Sequence, residues 1–574
     1  MPSTGGENMR QHPARTHYPR TPHLPWSPGA TDDDVRTVDL AGLRGREVVV
    51  TEKLDGENTT LYGDGLHARS LDSAHHPSRA WVKALHGRVA GGIPAGWRVC
   101  GENVYARHSL GYDDLESWFY GFSVWDADGR CLDWDRGAEF LRGLGIPVPP
   151  VLWRGVFDER VLRRLKLDTE RHEGYVVRTA EGFPAEAFRQ RVAKWVRPGH
   201  VQTGTHWMHA PVVENGLAPA AALWAVRSGA APDPAALLRA VGLPDGDAPA
   251  ATSAAVPTSA AAEVAVRLGG TGDERLAGVL AALLHTRHRA TLAGRLARPL
   301  GLPLARRVAD LVGLHTGLHR PYPDELRRTG LLRMSHAVGL ETLHAVAAAT
   351  SPDAAAREQV EWSALHAEDI RPIGPLREAF AGLDPDAAAR CLGEAREAYA
   401  LGRVGTLEEA VAATWRRRTG DFPRLIHMVG PSGSGKSSFA RGLSGVDAYV
   451  SLDELREARG SRADQSANGE VLRQGLDRLG TALADGATVV WDATSLNPHQ
   501  RSLVHAVARR CDALVTHAVV LVGEDELIRR NERRTHPVPA EVLTAQLRRY
   551  VPPYPGQAHR TWYVGACGTI EEEA

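Results

Sequence analysis

The spacing of hydrophobic and polar positions changes along the chain, and each pattern predicts a different kind of structure. Between about residues 48 and 196, short runs rich in β-branched and aromatic residues, such as EVVVTEKLDG, FYGFSVWD and VAKWVR, are bounded by Gly and Asp. Runs of this composition are typical of strands. This region therefore predicts a largely antiparallel, sheet-rich α+β domain with a few helices.

The middle of the chain contains two further patterns. The segment 230–264 is dominated by Ala and Pro, which favours a linker or a loosely packed insert. Residues 273–415 have apolar positions at helical spacing and predict an all-α block. Thr406 followed by Glu409 predicts a capping box at the start of the last helix of this block.

From Pro423 onward, the strand-like runs LIHMVG, TVVWDAT and ALVTHAVVLVG alternate with polar helical stretches. Such alternation is typical of an α/β domain with a parallel sheet. The chain is therefore predicted to be multidomain. We expect a sheet-rich domain over residues 1–210, a linker or insert over 211–272, a helical domain over 273–420 and an α/β domain over 421–574.

Composition narrows the classes of protein. At about 150 residues per domain, 574 residues suggest three to four domains. The balance of 68 Lys and Arg against 69 Asp and Glu excludes a globally basic nucleic-acid coat. No apolar stretch reaches the ~18–20 residues that span a bilayer, the N-terminal segment has no apolar signal region, and the five cysteines are far apart. We therefore expect a cytoplasmic protein without membrane attachment or disulfides.

Lysine is rare in this arginine-rich chain, and it occurs only at Lys53, Lys83, Lys166, Lys194 and Lys436. Arginine stays protonated, whereas a lysine amine can lose its proton and attack an electrophile. Positions that keep lysine are therefore candidates for chemistry that arginine cannot perform. For Lys83 and Lys166 no motif is found, and we expect both at the surface.

The segment GPSGSGKS fits the phosphate-binding pattern GxxxxGK[ST], between the strand-like RLIHMV and the helical SSFARGL. Its glycines let backbone N–H groups surround phosphates. Lys436 is predicted to reach the outer phosphates of a nucleoside triphosphate, and the Ser437 hydroxyl to ligate Mg²⁺. The predicted nucleotide-binding residues are Gly430, Gly433, Ser434, Gly435, Lys436, Ser437 and Ser438.

The residues that follow resemble the polynucleotide 5′-kinase branch of P-loop phosphotransferases, whose members carry S-x-D-x-x-R. Here that pattern is Ser451, Asp453 and Arg456. The resemblance implies that Asp453 is the general base for a 5′-hydroxyl, consistent with in-line phosphoryl transfer, and that Arg456 holds the acceptor strand.

The resemblance extends through VVWDATSLNPHQR and RRNERRTHPVP. In the first run it implies that Asp492, Thr494 and Arg501 face the site, with Thr494 and Arg501 contacting the RNA acceptor. The second run looks like a lid that closes on the triphosphate. Arg534 is the best match to the catalytic lid arginine, with Arg530 and Arg533 as neighbours in an open register, and a fixed positive charge there would offset the charge on the transferred phosphoryl group.

The N-terminal region resembles the covalent nucleotidyltransferases, which include ATP-dependent nucleic-acid ligases. KLDGEN at 53–58 matches their nucleophile motif KxDGxN, and the companions HARS, GENVYARHSLGY, FSVWD, EGYVVR and VAKWVR follow in the family's order. GENVYARHSLGY resembles RNA ligases in particular. The resemblance implies an ATP-grasp-like adenylyltransferase fold and a ligase nucleotide site formed by Glu52, Lys53, Asn58, Arg69, Glu102, Trp125, Glu173 and Lys194.

Chemistry supports these assignments. The attacking group must be a neutral amine, so Lys53 forms a phosphoramidate with AMP, and its pKa is expected to fall well below the usual value. Glu173 is expected to bind the metal, Glu102 the ribose hydroxyls and Lys194 the α-phosphate. The family often has a second lysine at the position of Val192, which leaves open whether Arg191 or Arg197 supports Lys194.

The middle block resembles part of an HD phosphohydrolase domain. His285 stands where the family's HD histidine would be, but Thr286 replaces the aspartate, and His315 and His319 match only a later metal histidine. With two ligands missing, we predict a degenerate HD-like scaffold or RNA-docking module, with a divergent end-processing phosphatase as the alternative.

Together, the resemblances imply an enzyme that phosphorylates 5′-hydroxyl RNA ends and then seals them to 3′-hydroxyl ends, using ATP and Mg²⁺ or Mn²⁺. Its expected partners are RNA with broken ends, such as tRNA cleaved in the anticodon loop, and a separate 3′-end phosphatase or phosphodiesterase. Two alternatives remain open, a DNA-repair ligase–kinase and an RNA-binding sensor gated by nucleotides.

Overall fold

A computed structural model describes residues 15–71, 75–199, 211–243, 255–321, 324–370, 373, 375–459, 468–534 and 537–574. The chain divides into two compact units. The first comprises Met1–Asp247 with Gly269–Leu276, and the second comprises Ala248–Leu268 with Ala277–Ala574. In the part of the chain described, no helix combines the length and the apolar character needed to cross a membrane.

The first unit is built around antiparallel strands, as predicted. Its strands in the described ranges are β1 (Glu47–Lys53), β2 (Glu57–Tyr62), β3 (Gly65–Ala68), β4 (Arg98–Asn103), β5 (Phe119–Trp125), β6 (Arg130–Cys131), β7 (Val151–Val156), β8 (Gly174–Thr179), β9 (Phe183–Pro184) and β10 (Val192–Val196). Its helices are α1 (Ala80–Val89), α2 (Trp134–Gly143), α3 (Glu159–Arg163), α4 (Phe188–Arg191), α5 (Ala221–Arg227) and α6 (Pro234–Ala240).

These strands form two sheets, ordered β10-β8-β1-β7 and β3-β2-β4-β5-β6-β9. The β-branched run Val48–Val50 makes β1 a central strand, because it is fully buried between the neighbouring elements. In the first sheet, Lys53 lies opposite Gly174, and Lys194 lies opposite Val176. The ends of β1, β8 and β10 therefore bring separate sequence motifs to one edge.

Part of the segment predicted as a linker or insert is folded. Helix α5 buries Leu223 and Val226, and α6 buries Leu237. The side chain of Asp233 caps α6 by accepting a hydrogen bond from the Ala236 N–H. This part of the Ala- and Pro-rich segment therefore forms short helices with buried apolar side chains, which its composition did not indicate.

The second unit begins with a helical block. Helix α7 (Ala255–Leu268) lies in this unit, and α8 (Asp273–Leu283) starts in the first unit and ends in the second. The block continues with α9 (Arg289–Leu300), α10 (Leu302–Leu314), α11 (Asp324–Ser335), α12 (Leu340–Ala349), α13 (Ala354–Glu368), α14 (Leu376–Phe380), α15 (Pro385–Ala400) and α16 (Leu407–Ala413). Thr406 and Glu409 form the predicted capping box at α16.

An α/β region completes the second unit. It contains the strands β11 (Arg424–Val429), β12 (Ala448–Ser451), β13 (Thr488–Asp492), β14 (Leu514–Val520), β15 (Arg560–Val564) and β16 (Ile570–Glu573). Its helices are α17 (Lys436–Arg441), α18 (Leu452–Glu457), α19 (Asn468–Ala484), α20 (Pro498–Arg510), α21 (Glu524–Glu532) and α22 (Ala540–Arg549).

The sheet of this region has the order β12-β13-β11-β14-β15-β16. Its pairings are parallel from β12 to β15, which confirms the predicted parallel α/β domain. The last strand, β16, is antiparallel to β15 because the short connection between them closes a hairpin and is too short for a crossover.

A buried ionic network joins the helical block to the α/β region within the second unit. Asp310 on α10 is 1% exposed and accepts hydrogen bonds from Arg289 at 2.6 Å and Arg306 at 2.5 Å. Arg306 also pairs with Glu572 on β16 at 2.7 Å, and Arg289 donates to the Pro552 carbonyl at 2.5 Å. Helices and sheet are therefore held together by charges that lie away from water.

Removing the shared carboxylate of this network is expected to be severe. Asp310→Ala leaves two buried guanidinium groups without their central partner, and we expect it to lower the free energy of unfolding by about 3–5 kcal/mol. Calorimetry of the full-length protein measures this. Asp477→Ala, at an exposed position on α19, is the control and should change stability by no more than about 0.5 kcal/mol. Equal effects of the two substitutions would contradict a structural role for the network.

Candidate functional site

The first cluster surrounds Lys53, the last residue of β1. Because Lys53 lies opposite Gly174 in the sheet, Glu173 stands just before β8 and beside the lysine. The Lys53 Nζ donates to the Glu173 Oε2 at 2.5 Å, and the Glu173 side chain is 8% exposed. Gly174 permits this approach of the strands, since a Cβ there would lie 2.0 Å from the Trp195 carbonyl oxygen.

The charges around Lys53 differ from the sequence-based expectation. Burial lowers the pKa of Lys53, but the charges of Glu173 and Glu102 and the hydrogen bond to Glu173 outweigh burial, so the net pKa is raised. The expected fall in this pKa is therefore not found in the protein alone. Burial also raises the pKa of Glu102 to about 8, with Lys53 opposing the shift and Glu173 and Asp55 adding to it.

Two further predicted cations belong to this cluster. Lys194, on β10, has a lowered pKa because of burial and the nearby charge of Lys53, with Asp34 and Glu173 opposing the shift. The charge of Arg69 contributes to the same lowering. The predicted residues Lys53, Arg69, Glu102, Glu173 and Lys194 are therefore close enough to influence one another. Between them they offer an amine, two carboxylates and two further cations.

Asp55 ties the loop after Lys53 to the segment ARHSLGY. Its carboxylate accepts hydrogen bonds from the backbone N–H groups of Ser109 and Leu110, both at 2.8 Å. Its own N–H donates to the Tyr112 hydroxyl at 2.8 Å. These hydrogen bonds join two motifs that are more than 50 residues apart in the sequence.

The neighbouring residues of the KLDGEN motif are also fixed. Glu57 accepts a two-pronged ion pair from Arg79, at 2.7 and 2.5 Å, with both side chains buried. Asn58 lies opposite Glu102 across β2 and β4, which brings it to the same edge as the predicted ribose ligand. Sequence reasoning missed Arg79, because no motif includes it.

Glu52 and Trp125 have surroundings that the sequence did not reveal. Burial raises the pKa of Glu52, with His172, 3.9 Å away, opposing the shift. Trp125 is fully buried, and its ring packs against Phe183 and Phe188. The predicted contact of Trp125 with a nucleotide therefore finds no support in its packing. On the same strand, Phe122 is partly exposed.

The two arginines considered as helpers of Lys194 are engaged elsewhere. Arg191 pairs with Glu181 at 2.6 Å. Arg197 is buried and donates to the Thr169 carbonyl at 2.8 Å. Neither of these contacts involves Lys194. Whether Arg191 or Arg197 supports Lys194 therefore remains open.

The second cluster surrounds the phosphate-binding loop between β11 and α17. Gly430, Gly433 and Gly435 have φ values of 151°, 84° and 101°. Side chains with a Cβ rarely adopt such values, so the glycines of the motif are required by the shape of the loop. Ser434, Ser437 and Ser438 follow in the loop and the first turn of α17, as the motif predicts.

Lys436 is held inside this loop. Its Nζ donates to the Pro431 carbonyl at 2.8 Å, and burial lowers its pKa to about 8. The charges of Asp492 and Asp453 oppose the shift, and that of Arg534 adds to it. Two residues predicted to be catalytic, Asp453 and Arg534, therefore lie within electrostatic reach of Lys436.

Asp492, at the end of β13, gathers two hydroxyl groups beside the loop. Its Oδ2 accepts from the Ser437 hydroxyl at 2.6 Å and from the Tyr449 hydroxyl at 2.5 Å. Mg²⁺ binds such oxygen ligands together with substrate phosphates. The donor set of Ser437 and Asp492 therefore fits the metal that accompanies a nucleoside triphosphate. Tyr449 was not predicted.

The remaining predicted residues divide into two groups. Asp453 is largely exposed on α18 and pairs with Arg456 at 2.6 Å, and Thr494 accepts the Gly430 N–H through its carbonyl at 3.0 Å. Asp453 and Thr494 therefore lie near the loop, and Arg456 is held beside Asp453. Arg501 is buried and donates to the carbonyls of Ser495 and Val551, so its described contacts are those of a packing residue.

Two further contacts to the loop come from α21 and α22. Arg530 on α21 donates to the Ser434 carbonyl at 3.0 Å and to the Ala566 carbonyl at 2.7 Å. Gln546 on α22 accepts the Ser432 N–H at 2.9 Å. The arginine-rich sequence indicated that an arginine contacts the loop. Which arginine does so depends on the position of each residue along α21, and the sequence did not show this.

The histidines of the predicted HD-like block lie near one another. The rings of His285 and His315 are 6.1 Å apart, and those of His315 and His319 are 5.7 Å apart. Their Nδ1 or Nε2 atoms contact the helix carbonyls of Ala282, Val312 and Ala347. The HD-like interpretation stays a prediction.

Comparison with known families supports the two clusters separately. Residues 46–196 match the family model described as RNA ligase, and residues 425–553 match the one described as AAA domain. The resemblances predicted for these regions are confirmed at the level of the family: an RNA ligase domain near the N-terminus and a P-loop, kinase-like domain near the C-terminus. ATP and a divalent metal are typical of the first family. No curated protein matches the chain.

Solved structures resemble parts of the chain. They include a chain of the Pnkp1/Rnl/Hen1 RNA repair complex (23% identity, 22% of this chain and 44% of that one, TM-score 0.20). A gluconokinase from Sinorhizobium meliloti matches at 23% identity (26% and 86%, TM-score 0.21). A Naegleria gruberi RNA ligase variant solved with ATP and Mn matches at 19% identity (28% and 52%, TM-score 0.22). The chain thus spans less than half of the repair-complex chain.

The burial of Trp125 makes a prediction about its role. We expect Trp125→Ala to lower the free energy of unfolding by about 3–5 kcal/mol, because it opens a cavity in an aromatic core. The increase in melting temperature caused by ATP should stay as in the unmodified protein. Trp415→Ala, at a 67% exposed position, is the control. A variant with unchanged stability but without the ATP-induced increase would instead assign Trp125 to the nucleotide.

Proposed function

We propose that this chain repairs broken RNA ends. The C-terminal cluster phosphorylates a 5′-hydroxyl end with a nucleoside triphosphate, and the N-terminal cluster seals the 5′-phosphate to a 3′-hydroxyl. The observation that carries the proposal is the occurrence, in one chain, of a lysine amine among carboxylates and cations and of a phosphate-binding loop with an adjacent Asp–Arg pair. The two family matches support the same combination.

The sealing reaction begins at Lys53. Its deprotonated Nζ attacks the α-phosphorus of ATP, so that a nitrogen–phosphorus bond forms and the bond to pyrophosphate breaks. Lys194 and Arg69 offset the negative charge that develops on the phosphate oxygens. Glu173 would hold a divalent metal, which supplies positive charge beside the reacting phosphate. Glu102 is suited to hydrogen-bond the ribose hydroxyls.

Two further transfers complete the sealing. The AMP passes from Lys53 to the 5′-phosphate of the RNA, which regenerates the amine and forms a phosphoanhydride. The 3′-hydroxyl of the other end then attacks that 5′-phosphate and displaces AMP. Each step exchanges one phosphorus bond for another, so no oxidant or reductant is required.

The phosphorylating reaction uses the second cluster. Asp453 accepts the proton of the 5′-hydroxyl as the oxygen attacks the γ-phosphorus, and the bond from the γ-phosphorus to the bridging oxygen breaks, so that the nucleoside diphosphate leaves. Lys436 and Arg534 bring positive charge to the transferred group, and Ser437 with Asp492 would hold the metal. Arg456 both orients Asp453 and is positioned to bind a phosphate of the acceptor strand, and Thr494 borders the same loop.

The first test is the covalent intermediate. The protein with α-labelled ATP and Mg²⁺ should form a labelled adduct at Lys53 that is labile in acid and stable in alkali, because protonation of the phosphoramidate nitrogen makes the amine a good leaving group. Lys53→Ala should reduce labelling to background. Lys83→Ala, at an exposed position on α1, should label like the unmodified protein. A folded protein that never forms the adduct would remove the ligase from the proposal.

The second test separates the phosphorylating activity. Asp453→Asn should lower the transfer of γ-phosphate to 5′-hydroxyl RNA by a factor of about 10²–10⁴, the usual contribution of a general base. Glu457→Gln, one turn further along the helix, should change the rate little. The melting transition of the full-length protein serves as the measure that both variants fold, because Lys53 lies in the first unit and Asp453 in the second. Transfer that persists in Asp453→Asn would exclude Asp453 as the base.

The nucleic acid is tested with the unmodified protein. A cleaved RNA stem-loop with 5′-hydroxyl and 3′-hydroxyl ends should be sealed when ATP and Mg²⁺ are present. A DNA stem-loop of the same sequence is the matched substrate. Preferential sealing of the DNA would replace the RNA assignment by DNA repair while leaving both reactions in place.

A further inference from the structure

Three histidine side chains meet inside the α/β region of the second unit, outside both clusters described above. His427 lies in β11 and His517 in β14, and the two are direct partners in the parallel pairing of these strands. His505, on α20, packs against them. His427 and His517 are fully buried, whereas His505 is half-buried and borders the solvent.

The imidazole nitrogens of these residues converge. The Nε2 atoms of His505 and His517 are 2.9 Å apart. One ring nitrogen from each of the three residues lies within 4.8 Å of the other two. Two nitrogens bound to one zinc ion at about 2.0–2.1 Å are roughly 3.3 Å apart in a tetrahedral site. Small side-chain rotations would therefore bring the three nitrogens to one metal ion.

These positions are unusual for histidine. The runs LIHMV and LVTHAVV are otherwise apolar or β-branched, and they form the central strands of a buried sheet. Within the described part of the chain, the Nδ1 atoms of His427 and His517 are buried and have no hydrogen-bond partner. Burying polar nitrogens without partners costs free energy. Because the Nε2 of His427 contacts Ser495, its Nδ1 is the nitrogen that remains for a ligand.

The protonation state suits a metal. Burial lowers the pKa of all three histidines, for His505 to about 4, with the neighbouring histidines or Arg501 adding to the shift. Arg509 also faces His505, and His559 faces His517. Each imidazole is therefore neutral near pH 7 and has a lone pair to donate.

We propose that His427, His505 and His517 bind a zinc ion that clamps α20 onto the central strands. Among the described residues, no carboxylate joins the three neutral imidazoles, and this donor set favours a borderline-soft metal such as Zn²⁺ over Mg²⁺ or Ca²⁺, which take oxygen ligands. The site is separate in chemistry from the predicted magnesium site of Ser437 and Asp492. It does not depend on either proposed reaction.

A neighbouring hydroxyl supports the arrangement. Ser495 has a φ of 48°, which is uncommon for a residue with a Cβ, and its Oγ lies 2.8 Å from the Nε2 of His427. The preceding carbonyl, of Thr494, accepts the Gly430 N–H of the phosphate-binding loop. Ser495 is therefore placed to orient His427, and a metal at the histidines would stabilise the segment that supports this loop.

Metal analysis of the full-length protein tests the proposal. The protein is stripped with a chelator, exposed to Zn²⁺ in excess Mg²⁺ and dialysed against Mg²⁺ alone, so that oxygen sites are filled by Mg²⁺. We expect one zinc ion per chain by elemental analysis. His505→Ala should retain less than a tenth of that amount. His499→Ala, at an exposed position on the same helix, should retain all of it.

Cobalt provides a measurement that needs no variant. With Co²⁺ in place of Zn²⁺, three nitrogen ligands in a four-coordinate site should give visible absorption bands much stronger than those of aqueous Co²⁺. A chelator should also lower the melting temperature of the zinc-loaded protein but leave that of a folded His505→Ala unchanged. Absence of retained zinc and of the cobalt bands, or full zinc retention in His505→Ala, would overturn the proposal and leave a metal-free hydrogen-bonded cluster.

Discussion

Several cations that are largely withdrawn from water lie beside a carboxylate, and these ion pairs shape both units of the protein. Lys53 is paired with Glu173, Arg79 with Glu57, and Arg289 and Arg306 with Asp310. Without these partners, the desolvation of the cations would oppose folding. Ion pairs of this kind recur in this arginine-rich chain, but they have different roles. At Asp310 they fasten helices to a sheet, whereas the pair at Glu173 keeps a chemically versatile amine at the end of a strand.

The sequence was most informative where a backbone conformation or a reacting group tolerates few residue types. The loop glycines could be predicted because only glycine adopts their φ values easily, and Lys53 could be predicted because the proposed chemistry needs an amine. The sheets followed from β-branched runs such as Val48–Val50. The role of Trp125 could not be predicted in this way. Strand β5 is buried on both faces along most of its length, so the alternation of apolar and polar residues does not distinguish a core residue from one that lines a pocket.

Contacts between distant segments could not be predicted in the same way. Asp55 reaches the N–H groups of Ser109 and Leu110, and Asp492 gathers the hydroxyls of Ser437 and Tyr449, because the strands happen to end at common edges. The cluster of His427, His505 and His517 could not be predicted for a related reason. Each occurs alone in an ordinary strand or helix pattern, and only the register of β11 with β14 and the packing of α20 bring them together.

The pairing of Lys53 with Glu173 sets a condition on the proposed sealing reaction. An ammonium held by a carboxylate is a poor nucleophile, and the net pKa of Lys53 is raised in the protein alone. The same carboxylate is the predicted metal ligand, and a carboxylate that turns toward another cation attracts the ammonium less strongly. The charge of Glu102 also raises the pKa of Lys53, so both carboxylates favour the protonated amine in the protein alone. In the proposed reaction, the pair would therefore keep the amine protonated until a metal ion engages Glu173, because the predicted metal ligand is also the carboxylate that raises the pKa of Lys53.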